Sequence, residues 1–236
     1  MIKAIFFDAG NTLFFEGGPH FEAARAYSLF NYLRAKGAKL PAKLFEDLLR
    51  FAKAPKGDSE HRQINVIPQG LGEILARYDL PHDEKDLQEA ENVFNTAFLA
   101  TLSAIPGMVE LVKNLKIEGF KLAVISNTRS HRLILDCLKQ LDIAQDFDLI
   151  VTSVSFGYRK PHASIFSYVL EQLSLQPDEA IMIGDSWEKD VLGAYGAGLR
   201  AVLFQAAALA PLDLSPEDSP FAVIAEDAAE LRRLLS

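Results

Sequence analysis

The sequence has a single cysteine, a deficit of positive charge and no long apolar run. Cys137 cannot form a disulfide within the chain, and the apolar helical pattern around it predicts a buried thiol. No apolar run approaches the ~20 residues that cross a bilayer, so no membrane span is expected. The 24 Lys and Arg residues stand against 32 Asp and Glu, a net charge of -8, which argues against binding along nucleic-acid phosphates.

Other familiar signals are also missing. The five histidines lack the spacing of a zinc site, and neither a Walker phosphate loop nor a G-x-S-x-G nucleophile elbow occurs. The stretch "GAYGAG" at 193–198 has the glycines of a dinucleotide loop, but it follows a helical pattern instead of opening one, so close packing and a helix end are predicted. The chain begins directly with strand-like residues and not with a secretory pattern, so a cytoplasmic protein is expected.

The sequence does contain a regular alternation of strand-like and helical segments, and its 49% apolar residues suffice for a sizeable core. This alternation predicts an α/β fold with an open parallel Rossmann-like sheet. Residues 17–104 are almost entirely helical, so we expect a core domain of residues 1–16 and 105–236 with 17–104 inserted after the first strand. Strands are predicted at 2–7, 120–127, 147–153, 179–186, 199–204 and 221–225, and a surface loop at 205–220.

Polar side chains cluster where four of these strands end or lead into the next loop. In open parallel sheets, ligands bind at the carboxyl ends of the strands. Any one of these residues could be a helix cap or a turn former, but their convergence on one edge predicts a functional site. The four sets are, in chain order, Asp8, Ser126 with Asn127, Lys160, and Asp185 with Asp190.

This ordered set resembles the haloacid dehalogenase (HAD) superfamily. The four motifs are "DAGNT" from Asp8, "SNT" from Ser126, Lys160 within "GYRKPHASIF", and "GDSWEKD". The resemblance extends over nearly the whole chain, and the helical insertion at 17–104 is similar to a C1 cap. The combination of the four motifs is specific, whereas an isolated D-x-x-x-T pattern is not.

The resemblance implies a nucleophile and a metal. Asp8 would attack phosphorus and form an aspartyl-phosphate. Mg²⁺ would be held by Asp8, the backbone carbonyl of Gly10 and Asp185, while Asp190 would hold a metal-bound water. An oxygen-only ligand set of this kind suits Mg²⁺.

The remaining motif residues would hold the phosphate group. Lys160 would pair with both Asp8 and the phosphate, and Ser126 together with the Asn127 amide would bind phosphate oxygens. Thr12 would orient the local backbone. The implied partner is a small phosphate ester, with no nucleic-acid or membrane partner, and the sequence does not indicate the oligomeric state.

Gly10 departs from the family pattern. Family phosphatases usually have an aspartate here, the general acid and base, and a positioned proton transfer contributes about 10²–10⁴-fold in rate. Glycine keeps the carbonyl for the metal but removes the proton carrier. Glu16 and His20, near a Gly- and Pro-rich hinge at 14–19, are candidates for supplying that proton.

Four functions therefore remain open. A magnesium-dependent phosphatase is favoured because "GDSWEKD" keeps both acids of a metal-type motif. A 2-haloacid dehalogenase is metal-independent in this family and needs a cap arginine; Arg25 and Arg34 are available but are expected to be solvated. A phosphonatase needs a cap lysine with a lowered pKa, and a catalytically impaired metal-binding module is the fourth. The candidate lysines are Lys36, Lys39, Lys43 and Lys53.

Overall fold

A computed structural model of the chain describes residues 1–15, 21–37, 40–53, 58, 60–63, 66–206 and 223–235. The chain divides into two compact units. One consists of Met1–Glu16 and Ser103–Ser236, and the other of Gly17–Leu102. The identification of the second unit as a C1 cap stays a prediction. Most of the loop predicted at 205–220 lies outside the described residues.

The first unit contains the predicted parallel sheet, which confirms the α/β fold class. Among its described residues, six strands run in the order β3-β2-β1-β4-β5-β6, and every neighbouring pair is parallel. The first strand, β1, lies between β2 and β4 and is buried along its whole length because all four of its residues are apolar. The strands are β1 (Ala4–Phe7), β2 (Lys121–Ser126), β3 (Leu149–Thr152), β4 (Ala180–Gly184), β5 (Arg200–Phe204) and β6 (Val223–Ala225).

Register brings three of the predicted polar strand ends to one edge of the sheet. Phe7, the last residue of β1, is paired with Val124 of β2 and Ile183 of β4. Asp8 therefore follows its strand close to where β2 ends at Ser126 and where β4 ends at Gly184. A parallel sheet puts the carboxyl ends of its strands together, so these residues converge without any special folding of the loops.

Helices flank this sheet, and two of them were not predicted: α5 (Met108–Ile117) and the short α7 (Ser153–Phe156), whose first residue falls in the strand predicted at 147–153. Helix α5 carries buried residues at Met108, Leu111, Val112 and Leu115, which is the spacing of an amphipathic helix. Cys137 is fully buried in α6, as predicted, and burial raises the pKa of its thiol to about 12. The helices are α5 (Met108–Ile117), α6 (His131–Gln140), α7 (Ser153–Phe156), α8 (Ala163–Gln172), α9 (Gly193–Gly196) and α10 (Ala228–Leu234).

The helical segment that ends at "GAYGAG" consists of two pieces. A π-helical segment spans Trp187–Leu192, and α9 follows it directly. Wide turns of this kind are rare and are frequently found at functional sites. A Cβ on Gly193 would lie 2.9 Å from both the Phe166 ring and the Pro161 Cα, so close packing explains a glycine of "GAYGAG".

The second unit is a bundle of helices with its own apolar core, which includes the fully buried Leu44, Leu71 and Phe94. Pro68 lies at the start of α3, and the Asp83 carboxylate caps α4 by accepting from the Asp86 N–H. None of the helices that the structure describes is long and apolar enough to cross a bilayer. The helices of this unit are α1 (Phe21–Ala35), α2 (Ala42–Lys53), α3 (Ile67–Arg77) and α4 (Glu84–Leu99).

The expectation that Arg25 is solvated is wrong. Its side chain is buried between the rings of Phe21 and Phe94, with the guanidinium 5.0 and 4.4 Å from their centroids. Its N–H groups donate to the Phe94 carbonyl at 3.2 Å and to the Asn95 side chain at 2.5 Å. Cation–π contacts and hydrogen bonds together make this burial tolerable, a combination that helical spacing alone does not reveal.

Candidate active site

An ion-paired lysine lies at the centre of the site. The Lys160 ammonium is 2.6 Å from Asp8 Oδ1 and 2.6 Å from Asp190 Oδ1, and its side chain is 1% exposed. Burial by itself would lower the pKa of Lys160, but the Asp190 and Asp8 carboxylates outweigh burial and raise that pKa. The lysine is therefore held in its charged form beside Asp8.

A third carboxylate completes the cluster. Asp185 directly follows β4, and one ligand oxygen from each of Asp8, Asp185 and Asp190 lies within 4.8 Å of the others. Burial, together with repulsion from Asp8 and Asp190, raises the pKa of Asp185 to about 7. The three acids thus concentrate more negative charge than Lys160 neutralises.

This donor set fits a divalent cation. Three ionised carboxylates and one ammonium leave an excess of two negative charges, the charge that one Mg²⁺ ion offsets. Burial and repulsion from the other two acids raise the pKa of Asp185, and a nearby cation would lower that pKa by favouring the ionised form. Gly10 lies in the half-buried turn after Asp8, and its backbone pairs with Phe14.

Asn11 is a site residue that sequence reasoning missed. Its side-chain amide donates to Asp185 Oδ2 at 3.3 Å, which lowers the pKa of Asp185 against the larger opposing effects. Asn11 has a left-handed backbone with φ of 55°, a conformation that asparagine adopts more readily than most residues. The sequence signal that could have identified Asn11 was its position directly after Gly10, in a tight turn.

Asp190 reaches the cluster because Gly184 has no side chain. A Cβ on Gly184 would lie 2.3 Å from Asp190 Cγ, a distance that real atoms do not adopt. The π-helical segment bends Asp190 back, so that its Oδ2 accepts from the Ser186 N–H at 3.0 Å. Sequence reasoning identified Asp190 but missed that Gly184 makes room for it.

The side chain of Asn127 binds the protein itself. Its Oδ1 accepts from the Lys160 backbone N–H at 2.8 Å, and its Nδ2 donates to the Lys160 carbonyl at 2.8 Å. The neighbouring Ser126 is buried as the last residue of β2. This contact uses the acceptor and one of the two N–H donors of the carboxamide, so it turns the Asn127 side chain toward the Lys160 backbone. The contact of the Asn127 amide with a phosphate stays a prediction.

Thr12 is fully buried close behind Asp8 in the chain. Within the described part of the chain its hydroxyl has no hydrogen-bond partner, and its role in orienting the local backbone stays a prediction. The candidate proton donors Glu16 and His20 lie outside the described residues.

The groups that the alternative reactions would need are engaged or exposed. The Arg25 guanidinium donates hydrogen bonds to two residues of α4 and lies over two aromatic rings. The Lys36 ammonium is bound to Glu89 at 2.7 Å, and hydrogen bonds to Glu89 and Tyr32 raise its pKa instead of lowering it. Lys43 and Lys53 are exposed, and Lys39 lies outside the described residues.

Comparison with known proteins identifies the family. The family model described as haloacid dehalogenase-like hydrolase matches residues 2–198. The chain belongs to the HAD-like hydrolases. It is 31% identical to the glyceraldehyde 3-phosphate phosphatase of Methanothermobacter thermautotrophicus, over 86% of this chain and 85% of the relative. A Pyrococcus furiosus protein of the same name is 27% identical over 95% and 90% of the two chains.

A solved HAD structure shares the fold. The 2-haloacid dehalogenase of Pseudomonas syringae pv. Tomato DC3000 superposes with a TM-score of 0.72, over 100% of this chain and 98% of that one. Its sequence identity is 22%, so the likeness concerns the fold and not the reaction.

The space beside Gly184 gives a test of how the Asp190 carboxylate reaches the three-acid cluster. Gly184→Ala should destabilise the protein by about 1–3 kcal/mol in urea unfolding, because the new methyl group must displace the Asp190 carboxylate. Gly196→Ala is the matched control, since no described atom lies within 4 Å of its Cβ position and alanine favours the helix. Equal stability of the two variants would contradict the assigned approach of Asp190 to Gly184.

Proposed function

We propose that this HAD hydrolase is a magnesium-dependent phosphatase acting on a small phosphorylated metabolite through an aspartyl-phosphate. The observation that carries the proposal is the buried Lys160 ammonium between Asp8 and Asp190, with Asp185 beside them. The names of the relatives, glyceraldehyde 3-phosphate phosphatases, support a small phosphate ester as the substrate class.

In the first step an Asp8 carboxylate oxygen bonds to phosphorus while the bond from phosphorus to the ester oxygen breaks. The leaving oxygen takes the bonding electrons and, if it is basic, a proton from solvent. A water oxygen then bonds to the phosphorus of the aspartyl-phosphate while the bond from phosphorus to the Asp8 oxygen breaks. One proton of the water stays on the inorganic phosphate, the other returns to solvent, and the Asp8 carboxylate is restored. When bound by Asp8, Asp185 and the Gly10 carbonyl, with Asp190 holding one of its waters, Mg²⁺ would offset the repulsion between carboxylate and phosphate.

Chain residues would supply the rest of the charge stabilisation. Lys160 presents a fixed positive charge next to Asp8, where a phosphate oxygen would lie. The Ser126 hydroxyl and the Asn127 backbone N–H would donate to the other phosphate oxygens.

The alternatives lose support from the same residues. A dehalogenase does not need a cluster of three acids around Lys160, and the Arg25 guanidinium is committed to α4. A phosphonatase needs a lysine of lowered pKa, whereas the pKa of Lys36 is raised.

The metal requirement tests the proposed function. Hydrolysis of an aryl phosphate should require Mg²⁺ and stop with EDTA, because carboxylate attack on a phosphate dianion needs the cation. Mg²⁺ should also increase the free energy of unfolding by about 2.7 kcal/mol at a hundredfold excess over its Kd, which is seen as a higher unfolding temperature. Chloride release from a 2-haloacid in EDTA would establish the dehalogenase instead, and Mg²⁺ binding without turnover would point to the impaired module.

The nucleophile can be tested by Asp8→Asn. This change keeps the shape of the side chain but removes the attacking charge, so turnover of the aryl phosphate should fall below detection. The fold should persist, because Lys160 keeps its ion pair with Asp190. Asp178→Asn changes an exposed acid before the opposite end of β4 and should leave the rate unchanged. Wild-type turnover by Asp8→Asn would refute the assigned nucleophile.

Gly10 governs the choice of leaving group. Without an acid at this position, aryl and acyl phosphates should react faster than alkyl phosphates, whose leaving oxygens need a proton. Gly10→Asp should speed alkyl-ester cleavage most, by up to ~10²-fold. The backbone should accept the side chain, since Gly10 is not among the described glycines with positive φ.

Gly10→Asn is the matched control, because it has the same size but cannot donate the proton of a carboxylic acid. Unfolding temperatures of both variants separate a packing failure from a chemical one. A stable Gly10→Asp protein with no gain on alkyl phosphates would mean that another residue already carries the proton.

A further inference from the structure

Two reciprocal side-chain contacts join the segment after β2 to the segment after β3, which runs from Ser153 to Lys160. The Asn127 carboxamide binds both backbone polar groups of Lys160, 33 positions later in the chain. The Ser153 hydroxyl likewise accepts from the Thr128 N–H and donates to the Thr128 carbonyl, each at 3.0 Å. These contacts cross between two segments that have no strand pairing with one another beyond Ser126 and Thr152.

We propose that the Asn127 side chain is a positioning residue that fixes Lys160 in the charged cluster and does not bind phosphate. This inference rests on the proposed function, because the catalytic value of a fixed Lys160 depends on the phosphate chemistry assigned to it. The contact itself is a feature of the fold and can be measured without any substrate.

The chemistry of the carboxamide explains why asparagine suits this position. The backbone N–H of Lys160 can only donate and its carbonyl can only accept, so the partner needs one acceptor and one donor side by side. Asparagine offers both: its Oδ1 lies 2.8 Å from the Lys160 nitrogen, and its Nδ2 lies 2.8 Å from the Lys160 carbonyl oxygen. Aspartate keeps the acceptor but loses the donor, and alanine loses both.

Lys160 needs this support because of where it lies. It stands in the irregular stretch between α7 and α8, where neither a strand ladder nor a helix holds the backbone. Its ammonium is nevertheless only 2.6 Å from each of two carboxylates at the end of a flexible four-carbon stem. A displacement of the backbone would be passed to the ammonium, and active-site groups lose effect when misplaced by about 1 Å.

Hydrogen exchange at one amide tests the contact directly. The backbone N–H of Lys160 should be protected in the wild-type protein, and its exchange should accelerate at least tenfold in Asn127→Ala. Asn127→Asp should keep the protection, because a carboxylate still accepts that hydrogen bond. Unchanged exchange in a folded Asn127→Ala protein, or equal acceleration in both variants, would overturn the proposal.

A double-mutant cycle then tests the role in catalysis. With Mg²⁺ and an aryl phosphate, Asn127→Ala should lower kcat about 10–100-fold and leave KM within about threefold, the pattern of a misplaced charge and not of a lost phosphate contact. In a Lys160→Met background the same change should cost less than about threefold, because the group it positions is gone. Additive losses in the cycle, or a loss confined to KM, would assign Asn127 to phosphate binding and overturn the positioning role.

Ser153→Ala is the matched control, since it removes the other reciprocal contact between the same segments but leaves that of Lys160 intact. It should lower stability yet keep kcat within about threefold. If the wild-type protein does not hydrolyse the aryl phosphate, the proposed function fails while hydrogen exchange still decides the contact. If the enzyme is active but exchange of the Lys160 amide does not change in Asn127→Ala, the positioning proposal is refuted while the proposed function stands.

Discussion

The buried Lys160 ammonium is the constraint on which the site depends. A charge that is 1% exposed is tolerable only when it is paired and hydrogen-bonded, and here Asp8 and Asp190 each approach to 2.6 Å. Those acids come from different parts of the chain, Asp8 from the end of the central strand and Asp190 from the π-helical segment. The missing side chain at Gly184 follows from this requirement, because it lets the second carboxylate reach the ammonium.

The same cluster explains why the site lowers the stability of the fold when no cation is bound. Three carboxylates against one ammonium leave negative charge uncompensated, and burial prevents water from screening it. The raised pKa of Asp185 expresses this imbalance. Binding sites often conflict with stability in this way, because the arrangement is complementary to what binds and not to the empty fold. A cation would turn the repulsion among the acids into attraction.

The sheet and the convergence of its polar strand ends could be predicted because they depend on local patterns. Apolar runs set the strands, and parallel pairing brings Asp8, Ser126 and Asp185 to one edge. Helix α5 also carries a readable spacing and was simply overlooked. The burial of Arg25 could not be predicted, because its partners Phe94 and Asn95 lie 69 and 70 positions later in the chain. The π-helical segment could not be predicted either, because the ion pair of its Asp190 with Lys160 joins residues distant in sequence. The partner of the Asn127 side chain was beyond reach for the same reason.

The separation of tasks among these residues makes the glycine at position 10 chemically intelligible. The charge at the reaction centre is set by Lys160 and the three acids, whose positions rest on Gly184, Ser186 and the loop around Lys160. None of these contacts uses a side chain at position 10. An acid there would add only a group that donates and accepts a proton. Without it, the contacts between Lys160 and the acids are unchanged. In the proposed reaction, transfer to phosphorus and protonation of the leaving group therefore depend on different residues and can vary independently.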